Sequence, residues 1–113
     1  MTSITLSYGK NGVLKNCQAN GHANFSKKGS DIVCAALSVL LRTAMEVLSH
    51  TENVLLTADT SSRGNLAFTV QVKDDLPDTV IRLQSVTDFI RTGIKSLSSE
   101  YPENVLLKEQ SES

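Results

Sequence analysis

Tryptophan is absent from this chain of 113 residues, and aromatic residues together make up only 4% of it. That is too few to build a stacking platform for single-stranded nucleic acid. Neither sign of charge is in excess, since 11 Lys and Arg stand against 12 Asp and Glu for a net charge of -1. Lys27-Lys28 is the one adjacent basic pair, so bulk phosphate binding is disfavoured and no direct nucleic-acid partner is expected. Two cysteines, Cys17 and Cys34, exclude a disulfide scaffold in a domain of this size and leave both thiols free in a reducing compartment. No stretch approaches the roughly 20 apolar residues of a membrane span. The alternating start Met1-Thr2-Ser3-Ile4-Thr5 lacks the basic and apolar regions of a secretory signal. A cytoplasmic protein with no membrane partner is expected. Neither a Gly-rich phosphate loop nor a dinucleotide fingerprint occurs, so no cofactor is expected either.

What is present reads as one domain over residues 1–108 with a disordered tail over 109–113. Ile4 to Tyr8 alternates, Lys10-Asn11-Gly12 supplies an Asn-Gly turn, and Val13 to Asn20 alternates again, predicting a β-hairpin. Asn24 to Ser30 has loop composition. Ile32 to Leu48 is predicted as a helix with Ser30 or Asp31 as its N-cap and Arg42 and Glu46 as its only charges. A helix apolar on nearly every side needs a sheet against one face and a second helix or another subunit against the other. Asn53 to Ala58 and Leu66 to Val72 read as a second hairpin. Pro77 starts a second helix that Tyr101-Pro102 stops, and Asn104 to Lys108 forms a last strand. The order ββαββαβ predicts an α/β sandwich of the α+β kind, one largely antiparallel sheet packed with two helices.

Chemistry concentrates at two residues. Cys34 falls where the first helix is predicted to begin, and a thiolate gains from the unpaired N–H groups and positive dipole end found there. His22 lies upstream with eleven residues between them, a spacing that permits contact without requiring it. In contact, His22 takes the thiol proton and later returns it to a leaving amine, while N–H groups at the helix start, including that of Cys34, hold the oxyanion. The alternative is that Cys34 is a small buried hydrophobe among Ala, Leu and Val.

Asp31 either orients His22 or caps the helix. Ser38, one turn after Cys34, either reaches the same site or bonds back to a helix carbonyl. Cys17 fits a half-buried strand position of opposite parity to His22. A zinc site of Cys17, His22, Cys34 and His50 is ruled out because Cys34 and His50 stand about 24 Å apart along a helix. His50 suits the helix C-terminus, and Asp59, Asp74 and Asp75 suit loops and turns better than a carboxylate pair.

Gly21-His22-Ala23, a loop carrying Gly29, and Asp31-Ile32-Val33-Cys34-Ala35-Ala36-Leu37-Ser38 together resemble the signature of the ribosomal-processing cysteine protease family, Prp. The resemblance runs on through the Gly64 turn to Glu100-Tyr101-Pro102-Glu103-Asn104-Val105, covering nearly the whole chain. Leu37 departs from it, since a smaller residue is usual there. The resemblance implies a homodimeric cytoplasmic endopeptidase that trims an N-terminal extension from the twenty-seventh protein of the large ribosomal subunit. It implies a catalytic dyad of His22 as proton acceptor and Cys34 as nucleophile, cutting after a pair of aromatic residues, with Gly21, Ala23 and Phe25 against the substrate. Phe25 serves equally well as a core anchor. The rival readings are a non-catalytic ribosome-associated binding module and a redox-sensing thiol.

Overall fold

Alternating residues build β1 (Thr2–Tyr8) and β2 (Leu14–Gly21). A single 3-10 turn at Lys10–Gly12 joins them, with Asn11 and Gly12 both at positive φ, 63° and 68°. Asn and Gly are the residues that take this conformation at least cost, so the dipeptide sets the hairpin. The computed structural model describes residues 1–21, 28–60 and 64–112, with side chains from 32 onward in the second span. The helix α1 (Lys28–Ser49) is followed by β3 (Val54–Asp59), β4 (Asn65–Val72), α2 (Pro77–Glu100) and β5 (Val105–Ser111). The expected order ββαββαβ is the observed one.

The sheet runs β3-β4-β2-β1-β5. Its pairs are antiparallel except β1 with β5, which is parallel. One face carries Ile4, Leu6, Cys17, Ala19, Phe68 and Val70 into the core. Leu6, Cys17 and Phe68 face one another in a single row across three strands. From α1 the stripe Val33, Leu37, Leu41, Ala44 and Leu48 meets them, and from α2 Thr79, Leu83, Thr87, Ile90 and Ile94. Each stripe recurs at three- and four-residue steps, the period of one helix face. The helices touch where Gly93 leaves room for Leu40. A Cβ on Gly93 would lie 2.8 Å from Leu40 Cδ2.

Three expectations need correction. α1 begins at Lys28 rather than after Asp31, so Lys28 to Ser30 are helical and Asp31 is the fourth helical residue, not the cap. Once packing has nucleated a helix, extending it backward costs little, and that outweighed the loop composition. Second, Ile32–Ser49 is by length and composition apolar enough to cross a membrane. Its apolar residues divide between the core stripe and an exposed set, Ile32, Val39 and Val47.

Third, the segment from Glu109 onward is a continuation of β5 through Ser111, paired with β1 up to Tyr8. Glu109 Oε2 accepts hydrogen bonds from Tyr8 Oη and Arg91 Nε, each at 2.6 Å, and Lys95 Nζ lies 3.6 Å from Oε1. These contacts join β1, α2 and β5. Polar composition predicted disorder, but composition does not register that the charges find partners 18 and 101 residues away.

The hydrogen bonds from Tyr8 and Arg91 hold the Glu109 carboxyl below its ordinary range, while burial and then the Glu109 hydrogen bond push the Tyr8 phenol upward. A carboxyl depressed by folding contributes its full stability above its unfolded value, about 4.3, and loses it as pH falls through the folded value. Glu109→Gln is therefore expected to flatten the fall in stability below about pH 4.3, measured by urea unfolding at a series of pH values. An unchanged slope would remove Glu109 from the acid response.

Candidate active site

Cys34 is the seventh residue of α1, and it is exposed while its neighbour Val33 is buried. The core stripe sets that rotation, because 100° along the helix separates one residue from the next. Cys34 lies beside an open cleft of about 350 Å³ at one end of the sheet. Ser38 lines the same cleft one turn on, together with Leu37 and Leu41 of α1. Across from them stand Thr2 of β1, Gly21 of β2 and Asn65 and Leu66 of β4. A larger hollow of about 580 Å³ lies by the β1–β2 turn and the start of α2. It contains neither Cys nor His, so its size does not make it the reactive site.

Gly21 fixes how the chain reaches this cleft. It is the last residue of β2, opposite Thr2 in register. Its N–H donates to the Gly64 carbonyl at 2.7 Å, and Gly64 has a φ of 81°. A Cβ at Gly21 would come within 2.9 Å of Thr2 Oγ1, so glycine allows β1, β2 and the β3–β4 connection to meet. The next residue is His22. His22, Ala23 and Phe25 lie outside the described residues, as does the side chain of Asp31. What is placed is the strand end that carries His22, at the rim of the cleft that Cys34 lines.

The corrected helix start changes the expected electrostatics. Dipole stabilisation is concentrated in the first turn, and Cys34 lies beyond it. As an interior helical residue it has its own N–H committed to the i−4 ladder, so that group is not an oxyanion donor in this conformation. Asp31 remains in the first turn, where an acid is favourable.

The other candidates fall into structural roles. Cys17 is fully buried between Leu6 and Phe68, and burial pushes its thiol up to about 12. His50 Nδ1 lies 2.8 Å from the Glu46 carbonyl oxygen at the end of α1. Asp74 Oδ1 accepts from the Leu76 N–H at 3.0 Å just before α2, and Asp75 pairs with Lys10 at 3.3 Å. Sequence reasoning missed Arg42, Thr2 and Asn65 as cleft residues. The spacing 34, 38, 42 was a legible signal for Arg42, whereas Thr2 and Asn65 arrive through strand pairing.

The family model described as cysteine protease Prp matches residues 1–106. A ribosomal processing cysteine protease Prp of Mycoplasma genitalium is 26% identical over 98 residues, covering 82% of this chain and 86% of the relative. A Streptococcus mutans protein of solved structure superposes with a TM-score of 0.76 at 26% identity, over 99% of this chain and 96% of its own. The Staphylococcus aureus Prp, solved with a substrate peptide, gives a TM-score of 0.78 at 17% identity, over 96% and 99% of the two chains.

In the native protein a thiol reagent is expected to modify Cys34 and leave Cys17 untouched until unfolding, because the first is exposed and the second has no accessible surface. Mass spectrometry of the labelled protein before and after denaturant reads this directly. Equal labelling in the native state would contradict the placement of Cys17 in the core.

Proposed function

The chain belongs to the cysteine protease Prp family and is a peptide hydrolase, and from that premise we propose that it removes the N-terminal extension of the twenty-seventh protein of the large ribosomal subunit, with Cys34 as nucleophile and His22 as proton acceptor. The observation that carries this is the exposed thiol of Cys34 in a cleft whose rim includes Gly21, the residue before His22. The apolar wall of the cleft, Leu37, Leu41 and Leu66, suits bulky apolar side chains. The substrate is cut after a pair of aromatic residues. Removing the extension supports ribosome assembly, in the cytoplasm.

In the reaction His22 takes the proton from the Cys34 thiol, and the thiolate attacks the scissile carbonyl carbon to give a tetrahedral oxyanion. That intermediate collapses as the imidazolium gives its proton to the departing amine, breaking the C–N bond and leaving a thioester. Water, deprotonated by the now neutral imidazole, attacks the thioester. The acid product departs and the sulfur recovers its proton. Asp31 either orients the imidazole or serves the helix start, and Ser38, one helical turn from the thiol, supports the reacting groups from the cleft wall. Because thiol and imidazole share protons, they titrate as one unit. No metal or cofactor takes part.

The working form is a homodimer. The exposed apolar residues Ile32 and Val39 lie on the side of α1 opposite its buried stripe, with exposed Val47 at the flank, and burying them against a second copy removes them from water. Val39→Asp is expected to shift the protein to monomer in analytical ultracentrifugation, with its circular dichroism unchanged. Persistence of the wild-type mass would place any dimer contact elsewhere.

The decisive assay incubates a peptide spanning the extension and its aromatic pair with the wild type, Cys34→Ala and His22→Ala, followed by mass spectrometry. Cleavage by the wild type, none by Cys34→Ala, and a loss of about 10²–10⁴-fold for His22→Ala is the expected pattern. Cleavage that survives Cys34→Ala would remove Cys34 as nucleophile. Intact peptide with every form, with binding retained, would favour the ribosome-associated binding module.

A further inference from the structure

Among the described residues the cleft holds one cation, Arg42, that the hydrolysis described above does not use. Cys34, Ser38 and Arg42 follow at four-residue steps along α1 and all line the cleft, so they form one ridge. The described groups across from them, among them Thr2, Thr60, Asn65 and Leu66, are uncharged. Four exposed cations elsewhere have met carboxylates, Lys10 with Asp75, Lys15 with Glu112, and Arg91 and Lys95 with Glu109, while among the described residues Lys73, Arg82 and Lys108 have not. No ion pair joins Arg42 to Glu46 one turn on, nor to any other carboxylate among the described residues. Asp31, whose side chain lies outside them, is about 16 Å away along the helix by its rise per residue.

A guanidinium keeps its charge at every working pH and offers a planar fork of donors that fits a carboxylate. The neighbouring apolar wall of Leu37, Leu41 and Leu66 lowers the local dielectric and strengthens such a contact. Arg42 lies about 12 Å along the helix from Cys34, a distance that about four residues of extended peptide cover.

We propose that Arg42 is a specificity-determining residue that holds a carboxylate of the peptide substrate within about four residues of the scissile bond. The inference rests on the hydrolase reading and names a chemical feature of its substrate. The carboxylate belongs either to an Asp or Glu side chain or to the end of a peptide chain.

The probes are short peptides with a central Phe-Phe pair, carrying Gln or Glu in turn at each nearby position, and ending in either a carboxylate or an amide. For wild type, kcat/KM is expected to favour the Glu peptide by roughly tenfold at one position, with the preference shrinking as salt rises. In Arg42→Gln the Glu-to-Gln ratio should fall to near one, and Arg42→Lys should restore part of it. A preference that follows the terminal group instead assigns the contact to the chain end. The same peptides are titrated against Cys34→Ala by fluorescence anisotropy, which reads the preference in Kd without turnover. An Arg42-dependent preference in binding with no cleavage by wild type would overturn the hydrolase reading and leave this inference standing. Equal kcat/KM and equal Kd for Glu and Gln peptides at every position, or a preference that survives Arg42→Gln, would overturn it.

Discussion

The packing of α1 on the inner face of the sheet is the constraint on which the rest depends. Val33, Leu37, Leu41, Ala44 and Leu48 occupy one stripe and are nearly free of solvent. Each fully buried Val or Leu contributes roughly 1.5–3 kcal/mol relative to exposure. Rotating the helix by one residue would bring Cys34 into the core and lift Val33 out of it. The stripe therefore holds the thiol at the surface, beside the cleft, and sets Ser38 and Arg42 behind it on the same ridge. The exposure of Cys34 is a consequence of hydrophobic burial at its neighbours.

The second element of the site is the meeting of three chain segments at the sheet end. Gly21 and Gly64 approach closely enough for a main-chain hydrogen bond of 2.7 Å, and Thr2 fills the space that a side chain on Gly21 would take. The strand end that leads into His22 is thereby fixed to β4, whereas Cys34 is fixed to the core. Gly21, the residue before His22, is thus anchored by backbone hydrogen bonding, and Cys34 by packing. At the far edge Glu109 gathers Tyr8, Arg91 and Lys95, joining the last strand to the first and to α2. That cluster has no part in the cleft, but it supports the parallel pairing of β1 and β5 beside it.

Much of this was legible along the chain because the signals are local. The alternation of β1 and β2, the Asn11-Gly12 turn, and Pro77 at the start of α2 each act within a few residues. The thiol and imidazole stood out because Gly21-His22-Ala23 and the run from Asp31 to Ser38 form a specific pattern. Less legible were the features set by distant partners. Lys28 to Ser30 have the composition of a loop yet extend α1, and the acidic end of the chain joins the sheet because β1 and α2 supply its partners. Arg42 was visible as a charge on an apolar helix, but nothing in the chain showed that the described groups opposite it would be neutral.

The sequence by itself determined the order of the elements, the apolar stripe of each helix and the motif that carries the proposed dyad, because periodicity, turn residues and motif spacing are properties of neighbours. Tertiary structure decided which of the two cysteines is exposed: Cys17 and Cys34 are chemically alike, and only the pairing of three strands over one and the rotation of α1 under the other separate a thiol pushed up to about 12 from one open to a peptide. It also decided that Gly21, Thr2, Asn65 and Arg42 border a single cleft. Residues so far apart in the chain share a surface only after the sheet has formed, and no local interaction along the chain specifies that.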